Sequence, residues 1–363
     1  MLTKVNIKDP TPKYLQTQRI LIDAIRAGSL PPGCKLPSTK EISSLVDVSL
    51  ITAHKALERM VESGWLRREV GRGTYVRDDV DIRRDGRPHV SIGIVLDRNV
   101  NLNDYYHSTI IEGLRREARA DEYQVEFYFH DEFEMRGARK NGDTGAICIH
   151  PALEAQADVE RFARHYPVVV LGGAFPNTEV ATVDCDNFRG ARQAVRHLIE
   201  LGHQQFLVLS GPTNLSNARD RAAGAAMELA VHGIPLGDRD SFVSKDSVIL
   251  DEDTKTRMER RLSDPDRPTA IVAGGFYLAM AAMQVVRRAG LSMPEEVSVV
   301  GFDDPASAPL LDPPLTTVRQ PLQEMAAEAY RMVRDAIVTG SRPPRVVRLS
   351  AEMVVRGSTA PPA

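Results

Sequence analysis

The sequence lacks the features of a secreted or membrane-inserted chain. It has three cysteines, Cys34, Cys148 and Cys185, which are far apart and follow no metal-ligand spacing. No uninterrupted apolar run approaches the roughly 20 residues that span a bilayer, and the N-terminus has no signal-peptide core. We therefore expect a cytoplasmic protein with no membrane partner, whose cysteines are buried as small hydrophobic residues.

Motifs of the common cofactor-dependent and metal-dependent enzymes are missing as well. The sequence contains no P-loop, HExxH or GxSxG motif, and no GxGxxG follows the strand-like run at residues 91–96. Histidines such as His150, His165, His197 and His203 are scattered, without the spacing of metal ligands. These absences predict a protein that is not an enzyme and that needs neither a cofactor nor a metal.

Charge is divided unevenly along the 363 residues. Residues 1–77 carry 13 lysines and arginines against 7 aspartates and glutamates, and the remaining residues carry 33 against 42. A basic head on an acidic body suggests that only the head meets a polyanion. The chain is also long enough for two or three compact units, with 42% hydrophobic and 26% charged residues as in soluble globular proteins.

The head, residues 1–77, has the pattern of three helices followed by a β-hairpin. Apolar spacing predicts a helix over 13–27, a second helix after Ser38, and a third between Ser49 and Gly64. The glycines around Arg72 suit the tip of a two-stranded wing. The predicted apolar face of the third helix consists of Ile51, Ala56, Leu57, Met60 and Val61. Together these elements predict a winged helix-turn-helix.

The head resembles the DNA-binding domains of the GntR family. The matching residues are Tyr14, Gln18, 28–38, Val48, Ser49, Thr52, Ala56, Leu57, Gly64 and 71–76. The resemblance implies double-stranded operator DNA as a partner, and the implied contact residues are Ser38, Lys40, Ser49, Leu50, Thr52, His54, Lys55 and Arg72. Family members often carry arginine at the positions of Leu50 and His54, so we expect a different base preference here. For Lys55, an ordinary solvated charge is the alternative.

Beyond the head, a polar segment leads into a pattern of alternating strands and helices. Residues 78–89 lack apolar periodicity and predict a linker. Short apolar runs then alternate with amphipathic stretches through residues 90–360, which predicts parallel sheets covered on both faces. Ligands of such sheets bind at the carboxyl ends of the strands. We therefore expect a binding site among the loops that follow the strands of this body.

The body resembles the effector domain of the LacI/GalR family. The resemblance rests on residues 186–203, 216–234, 293–329 and 352–359, of which the VGFDD…PPLTTVRQP segment is very specific. It implies an α/β fold of the type I periplasmic-binding-protein kind, with two Rossmann-like lobes joined by three crossovers. A small-molecule effector, a sugar or a related metabolite, would bind in the cleft between the lobes. The segment 130–144 is short for the helix that the family places there.

Matching positions imply the effector-binding residues. They are Asn103, Tyr105, Tyr106, Arg221, Gly275, Phe276, Asp303 and Gln320. Gly275 and Phe276 replace an Asn-Asp pair of the family, so a polar clamp is lost. Alternatives stay open: Arg221 could pair with Asp220 or Glu228 on the surface, Asp303 could cap a turn, and one tyrosine could be a packing residue.

These features predict a sequence-specific DNA-binding transcriptional regulator, most simply a repressor, whose operator affinity is controlled by the effector. We expect a homodimer, because paired heads suit a pseudo-palindromic operator. The alternative is a regulator whose C-terminal domain only dimerises or binds a protein partner. The sequence leaves the effector, its sign of action and the operator unidentified.

Overall fold

The computed structural model describes residues 2–6, 9, 11–69, 71–78, 91–98, 100–102, 104–121, 123–129 and 145–363. The predicted linker lies outside the described residues apart from Asp78. Asn103 and the segment 130–144 lie outside them as well, so the expectations for these residues remain predictions.

The head folds as three helices and a two-stranded hairpin. Its elements are α1 Lys13–Arg26, α2 Thr39–Val46, α3 Leu50–Glu62, β1 Leu66–Glu69 and β2 Gly73–Val76. Asp47 ends α2 with a left-handed backbone (φ 60°) and so makes the turn into α3. The two strands pair antiparallel around the wing tip, where Gly71 has φ 72° and Gly73 has φ 125°. The predicted winged helix-turn-helix is therefore present.

The head has its own hydrophobic core, which corrects one expectation. The inward-facing residues of α3 are Ala53, Ala56, Leu57 and Met60. Ile51, which we expected on the same apolar face, is instead 81% exposed. It follows the cap residue by two positions and points away from the helices behind it. Cys34 also differs from expectation, since it is only partly buried, whereas Cys148 and Cys185 are buried.

The first lobe of the body is a six-stranded parallel sheet covered by helices. Its elements are β3 Ser91–Leu96, α4 Tyr105–Ala120, β4 Gln124–Phe129, β5 Gly145–Ile149, α5 Gln156–His165, β6 Val168–Leu171, β7 Ala181–Cys185, α10 Leu322–Thr339 and β13 Val346–Leu349. The strand order is β13-β7-β6-β5-β3-β4. Strands β3 and β5–β7 are buried along nearly their whole length, because helices cover both faces of the sheet.

The second lobe repeats this plan. Its elements are α6 Asn187–Glu200, β8 Phe206–Ser210, α7 Ser216–Val231, β9 Ser241–Val243, α8 Glu252–Leu262, β10 Ala270–Ala273, α9 Phe276–Arg288, β11 Ser298–Phe302, β12 Thr316–Arg319 and β14 Glu352–Val354. The strand order is β14-β12-β11-β10-β8-β9, with only β14 antiparallel to its neighbour among these described strands.

The chain passes between the lobes three times. It crosses from β7 to α6, from β12 to α10 and from β13 to β14. The expected fold class, a winged helix followed by two Rossmann-like lobes joined by three crossovers, is therefore confirmed. Apolar patterning did not reveal α5, α8 or the short strands β9, β12, β13 and β14. None of the described helices is both long enough and apolar enough to cross a bilayer.

Candidate functional site

The start of α2 holds the first two residues expected to contact DNA. Ser38 caps the helix: its Oγ accepts from the Glu41 amide at 3.3 Å, and the Glu41 carboxylate accepts from the Ser38 amide at 2.7 Å. This reciprocal pair is a capping box, so the Ser38 hydroxyl is already used within the head. Lys40, two residues further on, is exposed. Of the two, Lys40 has the side chain available for a phosphate.

The start of α3 is built in the same way. Ser49 Oγ accepts from the Thr52 amide at 3.2 Å, and the two hydroxyl oxygens lie 2.7 Å apart. Ser49 therefore caps the helix, and the Thr52 hydroxyl is bonded to the capping side chain. Leu50, between them, is 55% exposed. The free N-terminal amides of α3 give this end a partial positive charge, which suits an anion.

His54 and Lys55 lie on the outer face of α3 and contact other head residues. His54 Nδ1 lies 3.4 Å from a Glu58 carboxylate oxygen, one turn along the helix. The Lys55 ammonium lies 4.3 Å from the centre of the Tyr14 ring, a cation–π contact. Both side chains remain exposed. Each is therefore open to solvent and has a weak local partner that DNA could replace.

The wing carries the most exposed cation among the expected contact residues. The Arg72 side chain is 80% exposed and lies 3.9 Å from a Glu69 carboxylate oxygen. Arg67 stacks on the Tyr75 ring and bonds Glu69, whereas Arg68, on the opposite face of the ribbon, is exposed. The wing therefore presents Arg68 and Arg72 outward.

In the body, most of the expected residues that the structure describes lie where strands of both lobes end. The two lobes touch there: the Ala174 amide donates to Ser216 Oγ at 2.8 Å, and the Leu153 amide donates to the Asn214 carbonyl at 3.0 Å. The first lobe contributes residues after β3, β5 and β6. The second contributes residues from α7 and those after β10 and β11. We refer to this region as the cleft.

Arg221 is the central charged residue of the cleft. It projects from α7, is 7% exposed, and its guanidinium stacks on the Phe302 ring at 3.7 Å. Its Nε donates to Asn187 Oδ1 at 2.8 Å and its Nη1 to the Gly274 carbonyl at 2.7 Å. The alternative surface pairing is wrong, because Arg221 is buried in this network. Glu228 instead pairs with Arg192 and Arg196.

Asp303 and Gln320 lie together beside Arg221. Gln320 Nε2 donates to Asp303 Oδ1, and Arg221 Nη1 lies 3.9 Å from Asp303 Oδ2. Asp303 has φ 71°, a strained backbone for a residue with a side chain, and such strain clusters at functional sites. The neighbouring Asp304 is structural, since its buried carboxylate pairs with the half-exposed Arg319 at 2.7 Å and with Arg356 at 2.8 Å.

Three polar atoms of the first lobe are buried in the cleft without a hydrogen-bond partner among the described residues. They belong to the Tyr106 hydroxyl and to the Nε2 atoms of His107 and His150. The three ring centres lie 5.3 to 6.1 Å apart. Gly172 makes room for this group, because a Cβ there would overlap the Tyr106 hydroxyl. Buried polar atoms are nearly always bonded, so this cluster is suited to a polar ligand.

The two histidines of this cluster differ in their supports. His107 is held by Asp104, whose Oδ2 lies 2.8 Å from His107 Nδ1 and whose Oδ1 caps α4. Burial lowers the pKa of His150 to about 4, so its ring is neutral at pH 7. The sequence patterns gave no indication of His107, and His150 was considered only as a metal ligand. The position of His150 directly after β5 was the available signal.

Asp184, at the first crossover, was also missed. Its Oδ1 accepts from the Cys185 amide at 2.7 Å and from Asn187 Nδ2 at 3.2 Å. Burial raises the pKa of this carboxyl to about 7. Asn187 thus links Asp184 to Arg221. The crossover and the centre of the cleft form one hydrogen-bonded unit.

The other expected cleft residues differ in their surroundings. Tyr105 is half-buried, and burial together with Asp303 raises its pKa. No atom lies within 4 Å of the point where a Cβ on Gly275 would be, so there is open space beside it. Phe276 packs into the apolar core of the second lobe rather than forming a wall of the cleft.

A roomy cavity lies elsewhere in the first lobe. It measures about 860 Å³ and is lined by α5, α10 and residues 341–345, at the amino ends of first-lobe strands. Ligands of open parallel sheets bind at the opposite, carboxyl ends. We therefore favour the cleft as the ligand site, because its buried polar side chains are stronger evidence for a ligand than cavity volume is.

Two protein-family models match parts of the chain. Residues 13–76 match the bacterial regulatory proteins of the gntR family, and residues 195–359 match a periplasmic binding protein-like domain. The chain therefore joins a GntR-type helix-turn-helix domain to a periplasmic-binding-protein-like domain. The first match covers the three helices and the wing, and the second contains Arg221, Asp303 and Gln320.

Curated relatives of the chain are transcriptional repressors. The arabinose metabolism transcriptional repressor of Geobacillus stearothermophilus is 26% identical over 370 residues, which cover 94% of this chain and 98% of that protein. The HTH-type transcriptional repressor PurR of Escherichia coli is 32% identical over 200 residues, which are 54% of this chain and 57% of PurR. The chain therefore matches only a little over half the length of PurR.

Solved structures show the same fold. A LacI family transcriptional regulator from Mycobacterium smegmatis is similar with a TM-score of 0.67 at 23% identity, covering 75% of this chain and all of that one. The transcriptional regulator CelR–cellobiose complex is similar with a TM-score of 0.68 at 21% identity, covering 89% of this chain and all of that one.

Proposed function

We propose that this chain, a GntR-type DNA-binding domain joined to a LacI/GalR-type effector domain, is a transcriptional repressor that releases its operator when a small molecule binds. We divide it into the DNA-binding domain 1–77, the linker 78–89 and the effector domain 90–360. One chain combines a helix α3 whose first turn is exposed with a cleft that holds buried, unbonded polar atoms, and this observation carries the proposal.

In the head, DNA binding rests on exposed cations around a helix N-terminus. Lys40, Arg68 and Arg72 would neutralise phosphates, while α3 enters the major groove. The Geobacillus stearothermophilus relative is a transcriptional repressor, which supports the repressor assignment.

In the cleft, a hydroxyl-rich effector suits the donors and acceptors that are present. Arg221 and Asp303 supply charged hydrogen-bonding groups from the second lobe, and Tyr106, His107 and His150 supply further hydrogen-bonding groups from the first. A sugar or related metabolite carries hydroxyls that can both donate and accept. The relatives named for arabinose metabolism and for a cellobiose complex support this class.

The same arrangement weighs against the alternative, in which the C-terminal domain only dimerises or binds a protein partner. Such a domain has no need to bury unbonded polar atoms at the meeting point of its lobes, because each costs about 1–3 kcal/mol. The proposal also assigns no catalysis to the chain and a cytoplasmic location to the protein.

We propose that the working unit is a homodimer formed through the second lobe. Met227 and Val231 are exposed one turn apart on α7, and Val243 is exposed on the edge strand β9. Exposed apolar residues on a helix and on an edge strand of the same lobe suit an interface. Val231→Asp is expected to shift the sedimentation of the chain from dimer to monomer, and an unchanged dimer would place the interface elsewhere.

Operator binding and effector binding can be tested together. The full chain is first used to footprint upstream duplexes, and a panel of sugars and nucleosides is then screened by calorimetry. The effector should lower operator affinity by about 5–150-fold, with the reciprocal effect of DNA on effector affinity. Asp303→Ala should keep operator binding and lose the response; a normal response in that variant would refute the cleft assignment.

A further inference from the structure

The first turn of α3 exposes two aliphatic side chains at consecutive positions. Ile51 is 81% exposed and Leu50 is 55% exposed. With 100° of rotation per residue, Ile51 lies opposite the inward-facing Ala53, Ala56 and Met60. Single exposed aliphatic residues are ordinary on protein surfaces. These two are adjacent and occupy the helix end that would enter a groove of DNA.

The polar groups around this pair already have partners inside the head. The hydroxyls of Ser49 and Thr52 are bonded to each other. His54 faces Glu58, and Lys55 lies over the Tyr14 ring. The surface that α3 exposes at its N-terminus is therefore mainly aliphatic.

The surrounding charge indicates what covers them. Lys40, Arg68 and Arg72 are exposed on the adjoining elements, and the N-terminus of α3 adds a partial positive charge. A partner must therefore be a polyanion that also offers apolar groups. Duplex DNA is such a partner, and the only apolar group in its major groove is the C5-methyl of thymine.

We propose that Leu50 and Ile51 read thymine methyl groups, so that the operator has A·T pairs beneath the start of α3. This inference rests on the proposed function. Neither side chain has a hydrogen-bonding group, so neither gains from the polar edge of an A·T or a G·C pair, and a G·C pair offers no methyl group. Discrimination therefore comes from the methyl contact.

Replacing thymine by uracil isolates the methyl group. The full chain first selects its site from a random duplex library, and each thymine of that site is then exchanged for uracil. Fluorescence anisotropy gives the dissociation constants. At one or two thymines per half-site, uracil should weaken binding by the native chain about fourfold for each methyl removed.

Variants of the pair provide the second arm of the test. Ile51→Ala and Leu50→Ala should bind the thymine site more weakly and lose the difference between thymine and uracil. The matched control is Leu310→Ala, which changes an equally exposed aliphatic residue of the body (82%). This variant should keep the difference between thymine and uracil. Melting curves check that each variant is folded, as expected for substitutions at exposed positions.

The outcomes separate this inference from the proposed function. If a site is selected but uracil has no effect, or if both alanine variants keep the native discrimination, thymine reading is wrong and operator binding stands. If DNA binding is unchanged when Leu50→Ala and Ile51→Ala are combined in one chain, the pair contacts another partner and the inference is wrong. A library without any enriched sequence would overturn operator recognition itself.

Discussion

Candidate contact residues of the head lie on the surface, whereas those of the cleft lie in the interior. Arg72 is 80% exposed, and the nearby hydroxyls cap helices. Arg221, in contrast, is buried among an amide, a carbonyl and an aromatic ring. Each surface charge contributes a small, salt-dependent amount to the free energy of binding or folding. In a buried network, the loss of one member changes the free energy strongly. The two regions should therefore differ in how much a single substitution changes.

The largest effect is expected for Arg221→Ala. The substitution leaves Asn187 Oδ1 and the Gly274 carbonyl without their donor and uncovers the Phe302 ring. We expect a loss of about 3 kcal/mol in the free energy of unfolding and no measurable effector response. Denaturant unfolding and calorimetry measure the two effects.

Arg219→Ala is the control on the same helix, because Arg219 bonds only the Thr213 carbonyl near the surface among the described residues. It should cost less than about 1 kcal/mol and leave the response intact. Equal losses for the two arginines would remove the contrast between buried and surface groups.

The next effect concerns pH and the buried histidine. The folded pKa of His150 is about 4, below the ordinary 6.5, so the unfolded chain takes up the proton first as pH falls. Its contribution therefore destabilises the fold between about pH 7 and pH 4. Between pH 7 and pH 5, the free energy of unfolding of His150→Gln should fall by about 2 kcal/mol less than that of the native chain. Denaturant unfolding at the two pH values is the measurement.

Asp184 should act in the opposite direction. Its folded pKa of about 7 lies above the ordinary 3.8, so the unfolded chain loses the proton first as pH rises, and stability falls between about pH 4 and pH 7. In the native chain the two contributions partly cancel. Asp184→Asn should therefore increase acid sensitivity. Profiles parallel to that of the native chain for both variants would mean that the cleft is solvated like the surface.

A smaller effect should separate binding from stability within the cleft. Tyr106→Phe removes a buried hydroxyl that has no partner among the described residues, so the free energy of unfolding should stay within about 1 kcal/mol or rise. Affinity for the effector should fall about tenfold, because the ligand loses a hydrogen bond. Calorimetry and thermal unfolding are the measurements.

Tyr330→Phe gives the opposite pattern. The Tyr330 hydroxyl donates to Asp121 at 2.9 Å, away from the cleft, so its loss should cost about 1 kcal/mol and leave effector binding unchanged. Normal effector affinity in Tyr106→Phe would show that the first-lobe cluster does not contact the ligand.

The sequence was sufficient for the architecture and for part of each site. Motif resemblance named Arg221, Asp303 and Gln320, and the fold brings these three together. Strand–helix alternation predicted the parallel sheets because buried strands are apolar along their whole length.

Other features depend on which atoms meet in space. Nothing in the local sequence around His107 shows that its Nε2 is buried and unbonded, since this depends on the positions of Tyr106 and His150. Ile51 was misplaced for a related reason. An apolar residue in the first turn of a helix matches the apolar pattern, yet the core of the head lies behind Ala53 and Leu57.

The smallest effect is expected at the wing. Arg72→Ala removes an exposed cation whose Nη1 lies 3.9 Å from Glu69, so the fold should be unaffected. We expect operator affinity to fall about threefold to tenfold at physiological salt, and the slope of log K against log salt to flatten by about 0.9, since one phosphate contact releases one counterion. The exposed body residue Arg189, changed to alanine, should alter neither quantity. A steep slope retained in Arg72→Ala would place the wing off the DNA backbone, and the cations of α2 and α3 would then have to account for the whole electrostatic attraction.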